Sequence, residues 1–61
     1  MSPKAMTRFY TVAQISEMLG VSIRSVRRWI AAGDLLAHKF RRQVRVSEID
    51  LQAFLQRHRS S

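Results

Sequence analysis

Between Thr11 and Gly33 the chain begins a helix twice and ends one twice. Thr11 followed by Gln14 has the pattern of a capping box. The hydroxyl takes an orphan N–H, and the amide reaches back to the cap. Val12, Ile15, Met18 and Leu19 then recur at helical spacing. Gly20 stands where a left-handed residue closes such a run. Ser22 is a good N-cap for a second start. Ile23, Val26 and Ile30 share one face of the helix that follows, and Gly33 with Asp34 suits the turn after it.

Two short helices joined tightly through Gly20, Val21 and Ser22 form a helix-turn-helix pattern. Beyond Asp34 the period changes from about 3.6 to 2. Leu36, His38 and Phe40 alternate with Ala37, Lys39 and Arg41, and Val44 and Val46 alternate with Gln43 and Arg45. Two short antiparallel strands are expected, with their turn near Arg41 and Arg42. A bare two-stranded hairpin is marginal alone. It is expected to pack on the helices through Leu36, Phe40, Val44 and Val46. Ser47, with Asp50 three positions on, starts a third helix. Its apolar stripe is read as Ile49 and Phe54, joined by Leu51 and Leu55. Arg57 and His58 fall in its last turn, where positive charge meets the negative end of the dipole. The expected fold is mainly α with a small β-hairpin: helix-turn-helix, two-stranded wing, C-terminal helix. Residues 9–58 form the domain, residues 1–8 a flexible N-terminal segment and residues 59–61 a tail.

The chain has 61 residues and no cysteine, so neither disulfides nor thiolate metal sites can support the fold. A domain of this size buries only about 60% of its unfolded surface. The core must come from ordinary apolar side chains, and a 46% hydrophobic composition can supply them. Eleven Lys and Arg face four Asp and Glu, for a net charge of +7. Such an excess opposes compaction and points to a polyanion as partner. No signal sequence or membrane span is visible, so the cytoplasm is the default compartment.

On a wheel at about 100° per residue, Ile23, Val26 and Ile30 define the buried side of the second helix. Arg24, Ser25, Arg28 and Ala32 fall opposite, with Arg27 and Trp29 at the borders. A helix entering the major groove meets bases mainly near its N-terminus, which singles out Arg24, Ser25 and Arg28. Arginine can pair bidentately with guanine, and serine adapts to either kind of base edge. The Ser22 cap and the open N–H groups beside it suit a backbone phosphate. The bland alternative is a solvated face, but Val21 to Gly33 holds no acidic residue to pair with these arginines. Lys39, Arg41, Arg42, Gln43 and Arg45 make the hairpin a second basic surface, suited to a minor groove or to phosphates. The competing reading is protection of an edge strand by charge.

Trp29 is assigned to packing against the hairpin or third helix rather than to base stacking. Phe9, Tyr10, Phe40 and Phe54 are likewise assigned to the interior and not to an aromatic sheet that binds single strands. His38 and His58 lack a second ligand at metal spacing, so no metal is expected. No cofactor is expected either. Ser47, Glu48 and Asp50 are a helix start rather than a catalytic set, and no enzyme activity is expected.

The run Tyr10-Thr11-Val12 through Gly20-Val21-Ser22, then Val26-Arg27-Arg28-Trp29-Ile30 and Gly33-Asp34-Leu35, resembles the excisionase-type helix-turn-helix family. That family lies within the MerR-like winged-helix superfamily. The basic hairpin and the closing helix with Ile49, Phe54 and Leu55 extend the resemblance from about Phe9 to Arg57. It implies a second helix in the major groove (Ser22, Arg24, Ser25, Arg28) and a wing toward the minor groove (Arg41, Arg42, Arg45). Three positions depart from the family. Arg41 stands where members often carry Gly, Ser16 where Ala is usual, and Leu36 where Pro is common.

The resemblance implies a bacterial or phage-encoded recombination directionality factor. Such a factor binds and bends attachment-site DNA in adjacent copies, and it assists an integrase. The alternative is a small transcriptional regulator of MerR-like or phage type. Those usually dimerise through a long helix, and the residues up to Ser61 are too few for one. A module binding an acidic protein would account for the charge but not for the helix-turn-helix layout. A membrane-surface peptide fails, because the apolar residues are distributed to build an interior and not one amphipathic helix.

Overall fold

The computed structural model describes residues 8–58. The element order is β1 (Phe9–Thr11), α1 (Val12–Leu19), α2 (Ile23–Ala31), β2 (His38–Phe40), β3 (Gln43–Ser47) and α3 (Glu48–Arg57). The fold is a winged helix-turn-helix. One feature is additional to the sequence reading: a third strand joins the two-stranded wing formed by β2 and β3. β1 pairs antiparallel with β3, which pairs antiparallel with β2, in the order β1-β3-β2. Three residues are too few to show a period, and β1 becomes a strand only because β3 offers it partners. The expected N-terminal segment and tail lie outside the described residues, apart from Arg8. Its carbonyl accepts the Glu48 N–H at 2.8 Å.

Both helix starts of the motif have local causes. Gln14 N–H donates to Thr11 Oγ1 at 3.1 Å and Thr11 N–H donates to Gln14 Oε1 at 2.9 Å, completing the capping box. Ser25 N–H donates to Ser22 Oγ at 3.1 Å. Thr11 ends β1 and caps α1, and Ser47 ends β3 and caps α3. The expected Ser47–Asp50 box forms in part. Asp50 N–H reaches Ser47 Oγ at 3.1 Å, but the Asp50 carboxylate accepts the Ser47 hydroxyl at 2.9 Å instead of the backbone N–H.

Gly20 closes α1 at φ +68, with Val21 N–H donating to Ser16 C=O at 3.0 Å. A Cβ added at Gly20 would meet no atom within 4 Å, so only the left-handed backbone would penalise it. Gly20→Ala should lower stability by about 1 kcal/mol in a denaturant titration. A loss of several kcal/mol would mean that the turn is packed more tightly than this geometry allows.

Ile15, Val26, Leu35, Val46, Leu51 and Phe54 form the buried core. Tyr10, Val12, Leu19, Val21, Trp29, Ile30 and Ala37 pack around it. Trp29 lies against Phe54 of α3 with ring centroids 4.8 Å apart, as expected of an interior residue. Several other expected core residues are exposed. Ile49 is 68% exposed, and Leu51 takes the inner face of α3 with Phe54. Met18 and Ile23 lie largely outside, at the edges of their helices.

Leu36 and Phe40, expected against the helices, are 64% and 70% exposed. The register gives the reason. With a turn at Arg41 and Arg42, Phe40 pairs with Gln43 and Lys39 with Val44. Paired residues share a face, and the next pair lies on the opposite one. Once Val44 and Val46 face the helices, Phe40 and His38 must face away. Leu35 and Ala37 supply the apolar contacts expected of Leu36 and Phe40.

Candidate nucleic-acid interface

α2 presents Arg24, Arg27 and Arg28 as exposed side chains, while Val26 is fully buried beneath them. Ser22 is exposed and Ser25 half-buried, and the Ser22 hydroxyl donates to Ser25 Oγ at 3.1 Å. The two serines thus hold each other at the first turn of α2. Ser22 Oγ also receives the Ser25 N–H there.

The wheel therefore holds for the cations of α2. Arg27, placed at a border, turns toward the wing. It lines a cleft of about 660 Å³ between α2 and the sheet, together with Lys39, Arg42 and Arg45. Gln43 lies on the wing side of this cleft, and Thr11 and Ala13 add the first turn of α1. From the sequence Thr11 is a cap, and neither it nor Ala13 is expected at this interface. The capping box that starts α1 beside β1 was the available signal, but the closeness of that turn to the wing depends on the β1–β3 pairing.

The charge around this cleft is of one sign. Among the described residues, the ion pairs engage Asp34 and Asp50, with His38, Arg57 and His58 as their partners. None engages Arg24, Arg27, Arg28, Lys39, Arg41 or Arg42. Arg45 donates to Gln43 Oε1 next to the wing tip.

Arg41 takes φ +59 at the tip. The turn thus requires a left-handed residue, which here carries a long side chain. Arg41→Gly should raise stability by about 0.5 kcal/mol, because relief of the backbone cost exceeds the added freedom of the unfolded chain. Thermal melts of the two proteins measure this. A lower melting temperature for the glycine variant would show that the Arg41 side chain supports the wing.

The capped second helix, the wing beside it and the continuous basic cleft define a winged helix-turn-helix DNA-binding domain. The chain belongs to the helix-turn-helix domain family, whose model matches residues 9–59. That family contains excisionase-like helix-turn-helix domains. No curated protein and no solved structure gives a significant match. Among the described residues no helix is long and apolar enough to cross a membrane.

Proposed function

We propose that this protein is an excisionase-type architectural factor that binds and bends double-stranded DNA at the end of a mobile element. Carried on the bacterial nucleoid, it would help an integrase assemble the excisive complex, with copies bound side by side. The observation behind this reading is the row of cations, without ion pairs among the described residues, that runs from α2 across the cleft onto the wing. Arg24, Ser25 and Arg28 face base edges in the major groove. Ser22 and the N-terminal N–H groups of α2 hold a phosphate. Arg27, Lys39, Arg42 and Arg45 track the backbone, and Arg41 with Gln43 approaches the minor groove at the tip. Phosphate neutralisation combined with limited base readout suits a protein that selects deformable DNA.

Affinity measured against salt tests the electrostatic part. With about five phosphates neutralised, log K against log salt should fall with a slope of about −4 to −5. A slope near zero would rule out this interface. Genome-wide mapping in the host tests the role. Sites clustered at the end of an integrated element support excision, and sites confined to promoters make the protein a transcriptional regulator instead.

A further inference from the structure

The sheet face turned away from the helices carries two aromatic rings that duplex binding leaves unused, and it shares Arg45 with the basic cleft. The register places Arg45 beside both Thr11 and His38, and Phe40 beside Gln43, on the face opposite Val46. Phe9 in β1 follows the same alternation. Phe9 and Phe40 are 48% and 70% exposed. Phe9, His38, Phe40 and Arg45 line one groove of about 430 Å³. The Phe9 ring meets His38 edge-on, with centroids 6.0 Å apart, and His38 Nε2 lies 3.3 Å from Asp50. The two phenylalanines thus stand on the outer strands, roughly 10 Å apart across the sheet and about 13 Å offset along it, with Arg45 on the strand between them.

We propose that this face is a second nucleic-acid site, at which non-adjacent unpaired bases of a single strand stack on Phe9 and Phe40 while Arg45 holds a phosphate of the backbone that runs between them. Every base has a π-face, so such stacking is tolerant of sequence, and a cationic groove tracks the backbone. A duplex keeps its bases stacked inside and cannot offer them to these rings. A second copy of the chain is a poorer occupant. It would set +7 against +7 and one Arg45 against another. Arg45 gives the groove a positive charge that complements a chain with a charge at every residue, and the neighbouring Asp50 is engaged by His38. The basic tip beside it, with Arg41 and Arg42, extends the track.

The test separates stacking from the general attraction of a basic protein for polyanions. The full chain is titrated with an oligothymidylate of about 12 nucleotides and with an abasic strand of equal length, a size that one small module can cover. The thymidylate should bind roughly tenfold or more tightly. A Phe9→Ala, Phe40→Ala double variant should lose that preference while keeping its affinity for the abasic strand and for duplex DNA. Both rings are substantially exposed, and the fold of the variant is checked by circular dichroism. Independently, NMR of the unaltered protein should show thymidylate shifting the Phe9, His38 and Phe40 resonances. Equal binding of the two strands overturns the proposal, as does a preference that survives in the double variant. Sedimentation showing a dimer that the double variant dissociates would also overturn it. So would saturable binding of an acidic aromatic peptide at this groove by a protein with no base preference. The double variant leaves every cation of the duplex interface in place, so the two interfaces are judged separately.

Discussion

Phe54→Ala should remove between about a third and all of the protein's stability at room temperature. Phe54 is 3% exposed and sits between Trp29 of α2, at 4.8 Å, and His58, at 4.4 Å between ring centroids. It joins the helix-turn-helix unit to α3. Truncating a buried phenylalanine costs about 3–5 kcal/mol, from lost transfer energy and from the cavity left behind. A domain of this length has a total stability of only about 3–9 kcal/mol. Far-UV circular dichroism with a denaturant titration measures the loss. Ile49→Ala, on the exposed side of the same helix, should change stability by less than about 0.5 kcal/mol. If Ile49→Ala were the more costly of the two, α3 would present the other face to the core.

Arg24→Ala and Arg28→Ala should each weaken binding to the preferred duplex by about 1–3 kcal/mol, and each should relax sequence choice at one position. Arg42→Ala, in the cleft wall, should instead weaken all duplexes about equally and make the salt slope shallower by about 1. The contrast arises because base edges carry sequence information and phosphates do not. Selection from a random duplex pool supplies the preferred site, and anisotropy titrations on a panel of its variants give the numbers. Wild-type affinity and unchanged preference in all three variants would place the DNA interface elsewhere on the domain.

The helix-turn-helix was legible because its signals are local. A cap bonds three residues ahead, a left-handed glycine closes one turn, and apolar residues recur within a single helix. Thr11 with Gln14, Gly20, Ser22 and Gly33 each act within a few residues of their own position. The cations of α2 were legible for the same reason. Once the helix and its buried Val26 are set, the exposure of Arg24 and Arg28 follows from geometry.

The sheet was less legible, because its order and facing are decided by contacts far apart along the chain. β1 exists through pairing with β3, and the Phe9–Ser47 partners illustrate the separation. The facing of β2 depends on a one-residue choice of register, which exchanges inside and outside for every side chain. Alternation alone shows that Leu36, His38 and Phe40 share a side, but not which side meets the helices. A two-residue turn at Arg41–Arg42, taken with inward Val44 and Val46, would have decided it from sequence. The choice of Leu51 over Ile49 in α3 needed the position of Trp29. The aromatic face of Phe9 and Phe40 likewise depends on tertiary pairing. It brings Phe9, on a strand too short to announce itself, onto the same sheet face as Phe40, which lies 31 residues further along the chain.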